Sequence, residues 1–170
     1  ASPDISGLVG QYAQGNEPSH HAAYLYAFSG NQWKTAEKTR YIMDKWYTDQ
    51  PDGLPGNEDC GQMSAWYIFS SLGFYPVNPS NSVFVFGSPL FDEAAISLPG
   101  NKTFTVKALN NSKENIYIQS VTLNNRPITR TYITYREIMN GGTLVFEMGN
   151  TPNKSFGKLP EDRPLDALAE

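Results

Sequence analysis

Hydrophobic positions recur at helical spacing along the first part of the chain and alternate along the rest, with the change near residue 77. Between Gln32 and Tyr47, a stripe of Trp33, Ala36, Met43 and Tyr47 is widened by Ile42 and Trp46. Lys34, Glu37, Lys38 and Arg40 make the wet face of this amphipathic helix. An earlier helix is predicted over Pro18–Phe28, with Asn16 as its cap, Pro18 in its first turn and Gly30 as its stop. A third is predicted over Cys60–Leu72, ending at Gly73. Its Met63, Ala65, Trp66, Tyr67, Ile68, Phe69 and Leu72 cover most of the circumference. A helix apolar nearly all round needs neighbours on every side. Only two helices precede it, so the helical part is expected to be an incomplete arc with an exposed apolar face.

After Pro76-Val77-Asn78-Pro79 the spacing predicts short strands over Val83–Phe86, Ala95–Leu98, Thr103–Leu109, Ile116–Gln119, Val121–Leu123 and Thr143–Met148. Asn124-Asn125 suits a hairpin turn, and Tyr135–Met139 one helical turn ended by Gly141-Gly142. The fold class is therefore α+β, three helices followed by a small antiparallel β-sandwich. The expected division is a helical part over 1–77, a β-rich part over 78–152 and a tail over 153–170.

With 170 residues, 39% of them hydrophobic, the chain suffices for one ordinary domain or two small ones. A net charge of −4, with no cluster of Lys and Arg, argues against nucleic acid or an anionic membrane as partner. The aromatic stretch Met63–Phe74 is too short to span a bilayer. The chain does not begin with Met and opens on no signal peptide, which suggests a trimmed or mature piece and leaves export open. Cys60 is the only cysteine, which excludes an internal disulfide and a multi-thiolate metal site. It is expected to be a small buried filler.

Two loops could carry chemistry. The first, residues 14–21, places Glu17, His20 and His21 at the start of a helix. The second, residues 51–62, places Glu58 and Asp59 at the start of the nearly all-apolar helix. Carboxylates at helix N-termini are held ionised by the macrodipole, which suits a general base or a ligand of a hard cation. The plainer role is capping: Asp59 with Gln62 three residues on fits a capping box. Adjacent histidines point to different helix faces, so His20-His21 is a poor zinc site. Oxygens of Asn, Glu and Asp suit calcium instead. Trp66, Tyr67 and Phe74 could stack on sugar rings, although filling a core is the commoner role of such residues.

Gly-Leu-Val-Gly-Gln-Tyr-Ala-Gln-Gly-Asn-Glu-Pro-Ser-His-His at 7–21 and Gly-Asn-Glu-Asp-Cys-Gly-Gln-Met-Ser-Ala-Trp-Tyr at 56–67 resemble signatures of glycoside hydrolase family 92. Phe86-Gly87-Ser88-Pro89-Leu90-Phe91-Asp92 is similar to a further segment of that family, and the resemblance covers about residues 1–153. It implies an inverting, Ca2+-dependent exo-α-mannosidase that hydrolyses terminal α-mannosides, α-1,2 first among them, in N-glycan degradation. It implies that the three helices close an (α/α)6 barrel in a bacterial enzyme of the periplasm or cell surface. Asp59 matches the general base; Asn57 stands where some members carry a second acid, with Glu58 beside it. Glu17, with Asp59, matches the calcium site, and Asn16, His20, His21 and Gln62 match positions near the substrate.

The family's general acid lies upstream of both motifs, so the chain alone is expected to be inactive. Its implied partners are a mannose-containing glycan and the remainder of the parent enzyme, an N-terminal β-sandwich and the rest of the barrel. Self-association through the exposed barrel face is the other. Two rival classes stand beside this reading. One is a non-catalytic carbohydrate-binding or scaffold module, in which the acid loops are only caps. The other is a different (α/α)6 enzyme, such as a glucoamylase-like hydrolase or a sugar phosphorylase, which would lack the paired motifs.

Overall fold

The computed structural model describes residues 21–46, 61–78, 80 and 82–164, together with the backbone of two short strands, β1 (Leu8–Val9) and β2 (Tyr12–Ala13). Those two strands pair antiparallel, a hairpin that the helical reading of this region did not anticipate. A 3-10 helix then runs over Ala22–Ser29, followed by α1 (Gln32–Trp46) and α2 (Gln62–Leu72). The first helix thus begins four residues later than its sequence pattern predicts, is 3-10 in type, and has His21 at its N-cap position. Gly30 and Gly73 end their helices in the left-handed conformation, at φ 82° and 103°, where glycine avoids the Cβ penalty.

Eight more strands follow: β3 (Phe74–Tyr75), β4 (Val83–Phe86), β5 (Glu93–Leu98), β6 (Lys102–Leu109), β7 (Tyr117–Leu123), β8 (Arg126–Ile128), β9 (Tyr132–Thr134) and β10 (Gly142–Gly149). A single helical turn, α3 (Tyr135–Met139), separates the last two. They make two sheets, ordered β3-β4-β9 and β5-β6-β10-β7-β8. The larger sheet is mixed, because β10 inserts between β6 and β7 and runs parallel to β6. An all-antiparallel sandwich is therefore corrected. Strand alternation specifies which face is buried but carries no information about the direction of a neighbour.

The three-stranded sheet is the middle of three layers. Along β4, Val83 and Val85 join a core with Ala23, Tyr24, Ala27, Ile42, Met43 and Trp66 of the helical layer. Phe84 and Phe86 turn the other way, onto a core with Phe104, Val106, Leu144, Phe146 and Met148 of the large sheet. Tyr75 and Phe74 divide in the same manner, as period-two side-chain alternation requires. Phe86 meets Phe146 edge-on with ring centroids 5.1 Å apart, a geometry favoured by the ring quadrupoles.

The predicted strands Ile116–Gln119 and Val121–Leu123 are one strand, β7, with a bulge. Glu147 pairs with Ser120 and Met148 with Ile118, so Gln119 is the extra residue that breaks the alternation. From that bulge the Gln119 side chain donates to Thr151 O at 2.8 Å, and its carbonyl accepts from Asn153 at 2.9 Å. The segment after 152 is consequently ordered structure as far as Pro164, where a tail is predicted. Phe156 is buried in the large-sheet core, and Thr131 N donates to Asp162 O at 2.9 Å.

Arg40 is also corrected. Helical periodicity puts it on the wet face of α1, but only 4% of it is exposed. Its guanidinium donates to Pro89 O, to Ser112 O at 2.9 Å and to Asn111 Oδ1 at 2.9 Å. Burial lowers its pKa, opposed by the charges of Asp44 and Asp92. An arginine stays protonated under that pressure, so carbonyls and an amide are the right partners.

Candidate active site

Of the predicted site residues, Asn16, Glu17, His20, Asn57, Glu58 and Asp59 lie outside the described residues, and so does Cys60. His21 and Gln62 lie within them, both half-buried, one at the exit of each loop. His21 caps the 3-10 helix through its backbone, its carbonyl accepting from Tyr24 N at 3.0 Å, with no side-chain cap hydrogen bond. Gln62 is the first residue of α2.

The start of α2 corrects the capping box. Gly61 occupies the N-cap position at φ 87°, and its carbonyl accepts from Ala65 N at 2.9 Å, the first bond of the helix. Gln62 is thus at N1, whereas a box with Asp59 would need it at N3. A left-handed backbone at position 61 is cheap for glycine alone, so the helix cannot run back smoothly through this residue to a cap at 59. The glycine itself was the signal for this in the sequence.

The helices leaving the two loops are locked together. Tyr24, fully buried in the 3-10 helix, shares a 2.7 Å hydrogen bond between its hydroxyl and that of Ser70 in α2. The Tyr24 ring stacks on Tyr75 of β3, centroids 5.2 Å apart. Ser71, next in α2, lies 3.6 Å from the Met43 sulfur of α1. Two of the three aromatics considered as sugar platforms, Trp66 and Phe74, are fully buried core residues that present no face to a ligand; Tyr67 is half-buried.

A cleft of about 570 Å³ opens between α1 and the β6–β7 connection, lined by Glu37, Lys38, Arg40, Tyr41, Asp44, Lys113 and Ile116. Neither His21 nor Gln62, the two described members of the predicted site, lines it. Tyr117 donates to Glu37 there at 3.0 Å, and burial, followed by that carboxylate, raises the Tyr117 pKa. Among the described residues no group of three or more His, Cys, Asp or Glu side chains is placed to hold a metal.

The family model for the glycosyl hydrolase family 92 catalytic domain matches residues 1–150. The chain belongs to glycoside hydrolase family 92. The family GH92 α-mannosidase BT3965 of Bacteroides thetaiotaomicron, solved in complex with mannoimidazole, superposes with a TM-score of 0.91 at 40% identity, over 95% of this chain and 21% of that one. The family GH92 inverting mannosidase BT2199 of the same organism superposes at 0.86 with 45% identity, over 91% and 21%. An uncharacterised secreted glycosidase of the fungus Arthroderma benhamiae is 37% identical over 153 residues, 88% of this chain and 20% of its own length. This family 92 chain therefore spans about a fifth of the length of these relatives. No helix among its described residues is long and apolar enough to cross a membrane.

Proposed function

We propose that this chain supplies the water-activating side of a Ca2+-dependent, inverting exo-α-mannosidase acting on terminal α-mannosides of glycans. The observation that carries the reading is its 45% identity, over 91% of its residues, to an inverting mannosidase. A second supports it: with Gly61 at the N-cap and Gln62 at N1, capping no longer accounts for an acid at 59.

In this reading Asp59 takes a proton from water as that water attacks the anomeric carbon. The glycosidic oxygen leaves with a proton from a general acid outside these 170 residues. The two carboxyl groups of an inverting pair stand about 6.5–9.5 Å apart to admit the water. Asn57, an amide, can orient that water but cannot share the proton, and Glu58 flanks the base. Gln62, His20, His21 and Asn16 would hold sugar hydroxyls from the two loop exits. Glu17 and Asp59 offer the hard oxygens calcium prefers, and the ion would supply positive charge to fix the sugar hydroxyls.

The helices would close an (α/α)6 barrel whose remainder, with a β-sandwich, comes from the parent enzyme. The exposed Ile68 of α2 and Leu25 of the 3-10 helix would face that remainder or, failing it, a second copy. Export to a bacterial periplasm or cell surface completes the proposal; the fungal relative, a secreted glycosidase, supports export.

The test uses the full-length parent enzyme on α-1,2-, α-1,3- and α-1,6-mannobiose, with proton NMR of the first anomer released. The expected result is β-mannose, fastest from the α-1,2 substrate, lost on chelation and restored by calcium. Release of α-mannose first, or turnover untouched by chelator, overturns the inverting or the calcium part respectively.

A further inference from the structure

The cleft between α1 and the β6–β7 connection is not used by the proposed hydrolysis. Glu37, Tyr41 and Asp44 line it from α1, and their spacing puts them on one face of that helix. Lys113 and Ile116 line it from the connection. That connection is held in shape by its own hydrogen bonds. Asn115 donates through its side chain to Asn110 O at 2.8 Å and through its backbone to Ser112 Oγ at 2.9 Å, and Asn111 donates to Leu90 O at 3.1 Å. Two contacts tie the connection and β7 to α1. Arg40 donates to Ser112 O and Asn111 Oδ1, and the Tyr117 hydroxyl donates to Glu37 at 3.0 Å. The cleft is therefore shaped before any ligand arrives, which lowers the ordering cost of binding.

Its volume, about 570 Å³, is that of a small-molecule site. Its lining carries both signs of charge, with Lys38, Arg40 and Lys113 set against Glu37 and Asp44. An anion would meet the carboxylates, and a cation would meet the basic groups. A sugar hydroxyl both donates and accepts, so carboxylates and ammonium groups side by side suit it. Tyr41, 43% exposed, adds an aromatic ring for the apolar C–H groups of a pyranose. Lys45 steadies that ring, donating to its hydroxyl at 2.7 Å. Arg40 is the most buried of the lining residues, and its Nε, also buried, is without a hydrogen-bond partner among the described residues. A buried donor left unpaired is unfavourable and calls for an acceptor oxygen. From these features we infer that the cleft between α1 and the β6–β7 connection binds a neutral saccharide. Glu37 and Asp44 accept from its hydroxyls, Lys113 and Arg40 donate to them, and Tyr41 packs on the ring. The inference goes beyond the proposed hydrolysis and uses no residue of the two loops. A second contact of this kind raises the effective concentration of a polymeric glycan at the enzyme.

The test uses the full-length enzyme and affinity electrophoresis through gels holding α-mannan, a neutral β-glucan or anionic polygalacturonate. Wild type is compared with Tyr41→Ala, Asp44→Ala and Lys113→Ala, three exposed positions whose loss the fold should survive. Wild type should be retarded by a neutral polymer, α-mannan first. The dissociation constant read from that retardation should rise roughly fivefold in each variant, as for a lost polar or ring contact. Hydrolysis of a small nitrophenyl α-mannoside should stay at the wild-type rate, because it engages one sugar only. Equal retardation of wild type and all three variants overturns the inference. So does a retardation confined to polygalacturonate, which would make the cleft an anion site. A Tm lowered by several degrees with retardation unchanged also overturns it, and makes the cleft a seam with the rest of the enzyme. The two readings fail separately. If wild type does not hydrolyse the nitrophenyl mannoside, the mannosidase reading has failed, while the retardation of the variants still decides the cleft.

Discussion

At the scale of single residues, two carboxylates make opposite predictions. Asp59 is assigned chemistry, and its loss should separate rate from stability. In the parent enzyme Asp59→Ala should keep the fold, because even a lost cap costs only about 0.5–2 kcal/mol. It should lower mannose release by roughly 10²–10⁴. Asp59→Asn keeps the oxygen and loses the base, so recovered activity in Asn would return Asp59 to a structural role. Glu137 is the reverse case. It accepts from Arg130 at 2.6 and 2.7 Å, and it forms a capping box with Thr134 at the start of α3. Burial alone would raise its pKa, but the hydrogen bonds from Arg130 and Thr134 and the charge of Arg130 bring it below the ordinary glutamate value. A depressed carboxylate stabilises the fold above its unfolded pKa, about 4.3, and that contribution is lost as the pH falls through the lower folded value. The two side chains are about a quarter exposed, so the effect of Glu137→Gln at pH 7 is discounted to about 1 kcal/mol. Urea midpoints of wild type and Gln should differ at pH 7 and converge toward pH 3. A gap constant across that range would mean that Glu137 contributes shape and not charge.

At the scale of elements, local chemistry was legible and long-range pairing was not. Asn124 and Asn125, at φ 52° and 66°, make the two-residue turn their side chains suggest, joining β7 to β8. Val83–Phe86 and Tyr135–Met139 appear with the limits the sequence implies, and α2 stops at Gly73 as expected. Strands β3, β8 and β9 have two or three residues each, too few to show a period. The burial of Arg40 and the bulge at Gln119 depend on contacts 32 to 72 residues away, beyond any window. The candidate site divides likewise. Its acids stand out in two motifs, whereas Tyr24 and Ser70, 46 residues apart, look like ordinary members of apolar helices. Gly73 joins both kinds of information. Its φ of 103° was readable from the helix end, but the Phe146 ring and Pro89, 3.0 and 3.1 Å from where a Cβ would lie, were not. Gly73→Ala should therefore cost more than the ~1–2 kcal/mol of a strained left-handed residue alone, by about 1–3 kcal/mol of overpacking. Calorimetry showing a loss below about 1 kcal/mol would mean that Phe146 and Pro89 yield freely.

At the scale of the whole molecule, the three layers depend on a strap that returns from the far end of the chain. After β10, the Gln119 bulge holds residues 151 and 153, and Phe156 enters the core between the two sheets. Asp162 accepts from Thr129 and Thr131 beside β9. The strap also reaches the helical layer. Lys154 lies 5.0 Å over the Trp33 ring of α1, and the Arg163 guanidinium packs against Gly30 at the end of the 3-10 helix. It thus touches the large sheet, the middle sheet and the segment on which the first loop stands. Removing residues 151–170 from the parent enzyme should act on all three layers, whereas Phe156→Ala should empty only the core. The point variant should cost about 3–5 kcal/mol. The deletion should cost more, and it should also raise KM, because it releases the end of the 3-10 helix opposite Tyr24. Melting temperature and KM measured on both variants decide the matter. If the enzyme lacking residues 151–170 matches Phe156→Ala in both, the contacts at Trp33 and Gly30 carry no weight, and the strap serves the sheets alone.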